Sequence, residues 1–180
     1  MKRMSILKIF YFLLLSLLTS TSFAWDRSLE LGYGYSHDPN NSRYNNSGFL
    51  LSGDFWPLWR TPITFWTLNG AIGQWHATAP THQSLTTGAV ALALRVYPMC
   101  SDTAYPLYLL GSAGPAYLSD NQFGKNKQGS NFTFQFFGGL GVEHNHFDAN
   151  LRLVHYSNAR LASPDQGFTI LYLLSLGYLF

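Results

Sequence analysis

The stretch best equipped for chemistry is His155-Tyr156-Ser157-Asn158. If it is extended, side chains two apart share a face, so His155 and Ser157 project together and Tyr156 projects opposite. An imidazole beside a hydroxyl is what acyl transfer requires, a general base next to a nucleophile. The plainer alternative is a pair of polar residues closing a strand. A second spacing, His144-x-His146 behind Glu143, could hold a metal, but no third histidine lies nearby in sequence and no metal is expected. Cys100 is the single cysteine, which excludes an internal disulfide and a thiolate zinc site. It reads as an ordinary thiol beside a short turn.

The elements that must position the pair are strands. Beyond residue 25 no segment carries a 3.6-residue apolar stripe; short stretches alternate with period two instead. The first sets Leu29, Leu31, Tyr33 and Tyr35 against Glu30, Gly32, Gly34 and Ser36. The second, over 48–56, sets Phe49, Leu51 and Phe55 against Ser52 and Asp54. Others lie near 63–75, 84–97, 105–118, 132–142, 149–157 and 168–180. In the last, Phe168, Ile170, Tyr172, Leu174, Leu176, Tyr178 and Phe180 read as one continuous row, with Thr169, Ser175 and Gly177 on the other face.

The connections add direction. Those at 37–47, 76–83, 119–131 and 158–167 are long and polar; those at 57–61, 98–104 and 143–148 are shorter. An even number of antiparallel strands, with long loops at one rim and short turns at the other, predicts an all-β fold: an eight-stranded transmembrane barrel of the outer membrane, both termini periplasmic. A soluble sandwich would also bury such rows, but only closure satisfies every backbone group in lipid. Glycines 111, 114, 138, 139 and 141 suit close packing inside a narrow barrel, and Trp25, Trp56, Trp59, Trp66 and Trp75 suit interfacial girdles. Eight strands are filled by their own side chains, so no conduction is expected.

Composition agrees with this reading. Charged residues are 11% of the 180-residue chain, where a soluble domain carries about 25%. Hydrophobic residues are 47% although mean hydropathy is zero, so apolar residues are interspersed among polar ones. The one long apolar run, 9–18, follows Lys2, Arg3 and Lys8 and precedes Ser22-Phe23-Ala24. It is too short for a membrane helix and has the build of a secretory signal peptide over 1–24, leaving a barrel domain over 25–180. Without the three leader cations the net charge is about −1, which removes the case for nucleic acid.

In the seventh strand Asn150 and Arg152 belong in the polar lumen, so Leu151 and Leu153 face lipid, and His155 and Ser157 face lipid with them. The strand climbs from the short turn at 143–148 to the long loop at Asn158, which places Ser157 at the extracellular rim. There polar groups are tolerated at a cost of about 0–1 kcal/mol even when charged, so position alone leaves both alternatives standing.

His155-Tyr156-Ser157-Asn158-Ala159, followed by Pro164-Asp165-Gln166-Gly167, closely resembles the signature of the PagL-type lipid A 3-O-deacylases. Looser similarity runs upstream through Pro106-Leu107-Tyr108, Gly111, Gly114, Asn131-Phe132, Gly138-Gly139 and Arg152; the first four strands match only in pattern. The resemblance implies an outer-membrane serine esterase that removes the 3-linked hydroxyacyl chain of lipid A in lipopolysaccharide, taken laterally from the outer leaflet, with no cofactor. It implies Ser157 as nucleophile, His155 as the base that later protonates the leaving alcohol, and Asn158 as an aid to the oxyanion. The family's glutamate early in the last strand has no counterpart: counting from the motif reaches Thr169, counting from the carboxy terminus reaches Ile170. Losing such an acid costs about 10⁴ in rate in serine proteases. Asp165, a turn former after Pro164, or Thr169 could hold the imidazole instead. Lys125, Lys127 and Arg160 could meet lipid phosphates. A homodimer is left open, as are a non-catalytic adhesin or structural barrel and another lipid enzyme, an acyltransferase or phospholipase.

Overall fold

Period-two alternation in the sequence becomes alternation of burial along every long strand. A computed structural model describes residues 27–37, 45–99 and 104–180; the expected signal peptide, Trp25, Cys100 and part of the first long loop lie outside these. The elements are β1 (Ser28–His37), β2 (Asn45–Arg60), β3 (Thr64–Ala77), β4 (Ser84–Val96), β5 (Leu107–Leu118), β6 (Gln122–Phe123), β7 (Asn126–Lys127), β8 (Phe132–His144), β9 (Phe147–Ser157) and β10 (Phe168–Leu179). Eight of them close an antiparallel barrel in the order β1-β10-β9-β8-β5-β4-β3-β2. Among the described residues no helix is long and apolar enough to cross a membrane; the strands do the crossing, closed into a barrel with no free edge.

Leu29, Leu31, Leu51, Ile72, Leu109, Leu140, Leu151 and Leu176 are all exposed on the outer wall. The interior has two parts. Toward the long-loop rim it is aromatic and apolar: Trp75 donates to Thr87 Oγ1 at 3.2 Å, and the Tyr156 ring stacks on Phe168 with centroids 4.7 Å apart. Toward the turns it is ionic, with Arg95 and Arg152 among Glu30, Asp54, Glu143 and Asp148. Arg152 and Asn150 point inward as expected.

Four sequence expectations need correction. Trp75 is fully buried and belongs to the interior; Trp56, Trp59 and Trp66 are exposed at the short-turn end, where a girdle would sit. Residues 57–60, expected in a connection, extend β2, whose register shifts twice between Asp54 and Trp59. Gly114, Gly139 and Gly141 do face crowded interior atoms, but Gly111 and Gly138 face outward, where an added Cβ would meet nothing closer than 3.8 Å.

The fourth correction reaches the site. The row in β10 is not continuous, because a bulge between Ile170 and Leu173 places Leu171 and Tyr172 together on the outside. An extra residue reverses the parity of everything before it. Phe168 and Ile170 therefore turn inward, 3% and 0% exposed, and Thr169 turns outward.

One feature of the long-loop rim was not anticipated, the β6–β7 hairpin inside 119–131. Phe123 drops from it into the barrel mouth, its ring 5.0 Å from Phe168. Its second strand lies along the β9–β10 loop: Gln128 bridges to Asp165, Gly129 N–H donates to Pro164 O at 2.7 Å, and Gln166 N–H to Lys127 O at 3.1 Å. A neighbouring contact, His82 Nδ1 to Asp120 Oδ2 at 3.0 Å, ties the β3–β4 loop to this rim and holds the Asp120 carboxyl below its ordinary range.

Candidate active site

On β9 the alternation continues to the end of the strand: Leu151 and Leu153 are outside, Arg152, Val154 and Tyr156 inside, and His155 and Ser157 are half-buried on the outer face. Ser157 is the last residue of the strand, at the rim that carries the long loops. The orientation deduced from alternation is the observed one. Phe134 and Phe136 on β8 stand beside Ser157 and His155 in register, so an aromatic wall flanks the pair.

On the other side Thr169 is the β10 partner of His155. Its Oγ1 lies 2.7 Å from His155 Nδ1. The bulge decides between the two counts made from the sequence: the motif count lands on the outward residue, and the carboxy-terminal count on Ile170, which is buried. Had β10 been regular from its end, Ile170 would have faced the imidazole.

While the imidazole Nδ1 is held by Thr169, Asp165 is hydrogen-bonded to the serine and the loop backbone. Its Oδ1 accepts a hydrogen bond from Ser157 Oγ at 3.2 Å, and its Oδ2 accepts one from Arg160 N–H at 3.1 Å. The carboxylate thus bridges the serine hydroxyl and the loop backbone. The β6–β7 hairpin supports it there through the Gln128 bridge.

The turn after Ser157 is unusual. Ala159 and Arg160 have φ of 53° and 63°, a conformation that β-carbon residues adopt at a cost of about 1–2 kcal/mol each. The turn is fastened by Leu161 N–H to Asn158 O at 3.0 Å and Arg160 N–H to Asn158 Oδ1 at 3.0 Å. The Asn158 amide nitrogen donates to Ala162 O at 2.8 Å and Pro164 O at 3.4 Å, and the residue is buried. Its side chain is engaged in shaping the loop. The turn also directs a backbone donor at the serine: Ala159 N–H reaches Ser157 Oγ at 3.3 Å. Nothing in the sequence announced this turn, since neither residue is Gly or Asn.

Gly167, within the Pro164-Asp165-Gln166-Gly167 segment, lies against the imidazole. A Cβ on this glycine would stand 2.6 Å from Tyr156 O and 3.2 Å from His155 Nε2, so the empty position gives the imidazole room. The exposed Lys127 and Arg160 flank Asp165 from the hairpin and the turn, and Lys125 lies at the hairpin tip. The histidines at the opposite end do not meet: His144 stacks on Tyr105 and bonds Ala104 O, while His146 stacks on Tyr178 and bonds Leu179 O. Among the described residues no cluster could hold a metal.

Comparison with known proteins bears on the fold and the family. The solved structure of the outer membrane enzyme PagL superposes with a TM-score of 0.62 at 19% identity, covering 83% of this chain and 97% of that one. The N-terminal barrel domain of Pseudomonas aeruginosa OprF (TM-score 0.47, 14% identity, 88% and 100% covered) and Ail of Yersinia pestis (0.46, 15%, 88% and 100%) are similar more distantly. Among curated protein sequences none matches significantly. At these identities the structures speak for the fold alone. Activity comes from the sequence profile of the family described as lipid A 3-O-deacylase (PagL), which matches residues 47–178 and so takes in β9, its loop and nearly all of β10. A match over that much of the chain makes this protein a member of the PagL lipid A 3-O-deacylase family, an integral outer-membrane enzyme that deacylates lipid A.

Proposed function

We propose that Ser157 and His155 carry out the deacylation, with Thr169 in place of an acidic third member. The observation that carries this reading is the 2.7 Å contact between His155 Nδ1 and Thr169 Oγ1 on the same outward face as Ser157. With Nδ1 donating to the threonine hydroxyl, Nε2 keeps its lone pair free to accept a proton, the tautomer a general base needs. His155 Nε2 takes the Ser157 proton as Oγ attacks the carbonyl carbon of the 3-linked ester. The tetrahedral intermediate collapses, the C–O bond to the sugar breaks, and His155 returns its proton to the departing sugar hydroxyl. Water then attacks the acyl-serine by the same route and releases a hydroxy fatty acid.

The oxyanion is met by the N–H groups of Ala159 and Arg160, which already converge on Ser157 Oγ and on the carboxylate touching it. The ester carbonyl therefore displaces Asp165 from Arg160 N–H on binding. Lys127, Arg160 and Lys125 provide cations at the rim for the phosphates of lipid A.

Mass spectrometry of lipid A from cells expressing the wild type, Ser157→Ala or His155→Ala tests this. Loss of one hydroxyacyl chain with the wild type only is the expected result. The same loss from Ser157→Ala cells removes the nucleophile assignment. Unchanged lipid A with folded wild type favours a non-catalytic barrel, and acyl gain or phospholipid cleavage favours another lipid enzyme.

A further inference from the structure

The lipid-facing wall carries a groove that the chemistry at Ser157 does not use. It encloses about 850 Å³ and crosses β2, β3, β4 and β5. It exists because Gly53, Gly70 and Gly88 face outward without side chains between Leu51, Ile72 and Tyr117. Packing does not call for a glycine at 88, where an added Cβ would meet no atom within 4 Å. Glycine in a strand interior weakens the strand and often marks close approach by a ligand.

The groove lies on the same line of paired residues as the site, with Phe134 between them. Following paired residues from Ser157 leads to Phe134, then to Pro115 at the groove's near end; beyond β4 the same line reaches Gly70 and Gly53. Pro115 is two strands from Ser157, roughly 10 Å at ordinary strand spacing. On the opposite flank Leu171, Tyr172 and Leu174 project from β10 beside the site, and the recess on that side, lined by Leu176, Gly177 and Tyr178, lies at the short-turn end.

We propose that this groove seats a second hydrocarbon chain of the lipid A molecule whose 3-linked ester lies at Ser157, a chain that is retained while its neighbour is cleaved. The inference rests on Ser157 being the nucleophile. Bulk lipid tails are as apolar as the groove, so filling it brings no hydrophobic gain over any other lipid. What a tethered chain adds is orientation: once seated, it fixes the rotation of the sugar so that the ester meets the serine. The groove should therefore matter only for substrates that carry more than one chain.

The test is Gly88→Leu in the full-length protein, in vesicles of outer-membrane lipid, assayed on multiply acylated lipid A and on a glucosamine bearing only the 3-linked hydroxyacyl chain. The added Cβ meets no atom within 4 Å and the side chain extends on the lipid-facing side, so folding should be preserved. The expected result is a fall in kcat/KM of about tenfold on lipid A, with the single-chain ester unaffected. Equal effects on both substrates, or none on lipid A, overturn the proposal. So does a wild-type dimer that Gly88→Leu converts to monomers while lipid A turnover is unchanged, which assigns the groove to a second copy. A wild type inert on both substrates sinks the Ser157 reading itself, and this inference with it.

Discussion

Thr169 Oγ1 and His155 Nδ1 lie 2.7 Å apart, as paired residues of β10 and β9. A neutral hydroxyl can fix the tautomer and plane of an imidazole but cannot stabilise the positive charge that develops on it, which a carboxylate does. Thr169→Val should therefore lower kcat by about tenfold with little change in KM, less than the loss of a triad acid costs, and Thr169→Ser should restore it. Thr169→Glu should exceed the wild type. Single-turnover rates on purified lipid A check all three, and a Thr169→Val enzyme as fast as the wild type removes the threonine from the mechanism.

Asp165 offers the opposite sign. Its carboxylate bridges Ser157 Oγ and Arg160 N–H, close to where negative charge must develop on the substrate. An acid that served the imidazole would lose about 10⁴ in rate on becoming an amide. An acid that occupies the oxyanion's place should give a faster enzyme instead, since an amide donates where the carboxylate repels. Asp165→Asn is expected to raise kcat several-fold at neutral pH, and a collapse of activity in folded protein would return Asp165 to the catalytic machinery.

Gly167 has an ordinary backbone conformation, so space alone decides what it tolerates. A Cβ there would meet Tyr156 O at 2.6 Å and His155 Cε1 at 3.0 Å. The carbonyl belongs to the strand ladder and cannot yield, so the loop must move, and the ring with it. Gly167→Ala should reduce kcat by at least about tenfold, because small displacements of a catalytic base are costly. The heat-modified gel mobility of the folded barrel should stay normal. Unimpaired turnover would show that the loop re-forms around the extra methyl.

Much of this was legible in the sequence, and the exceptions have a common cause. The outward direction of His155 and Ser157 followed from parity with Leu151, Leu153 and Arg152, because period two is rigid within an unbroken strand. Parity fails where a strand gains a residue, and no residue in Leu171-Tyr172 signals a bulge, so Phe168 and Ile170 were assigned to the wrong face. Trp75 was taken for a girdle residue because indoles favour interfaces, yet its strand position points it at Thr87 and Tyr156. The contacts of Asp165 were beyond reach, since they depend on the β6–β7 hairpin, some forty residues away in sequence, lying along its loop.

The ionic half of the interior yields the last prediction. Arg95 donates to Glu143 and Asp148 through Nη1, at 2.6 and 2.9 Å, and to Glu30 and Asp54 through Nη2, at 3.1 and 2.8 Å. Arg152 reaches Glu30 at 2.8 Å, so Asp54 and Asp148 depend on Arg95 for an ionic partner. Both of these acids are buried, and a carboxylate left there without a partner has neither water nor counter-charge. Arg95→Met should therefore destabilise the barrel by about 3–5 kcal/mol, as removing one member of a buried ion pair does. Glu143 sits at the rim of the cluster with its side chain 13% exposed, and Glu143→Gln should cost far less. The network lies at the short-turn end, away from Ser157, so turnover per folded molecule should stay at the wild-type level in both variants. Urea unfolding in lipid vesicles followed by tryptophan fluorescence, with activity normalised to folded protein, separates the two effects; equal stability of Arg95→Met and the wild type would mean that the acids are neutralised by some route other than this arginine.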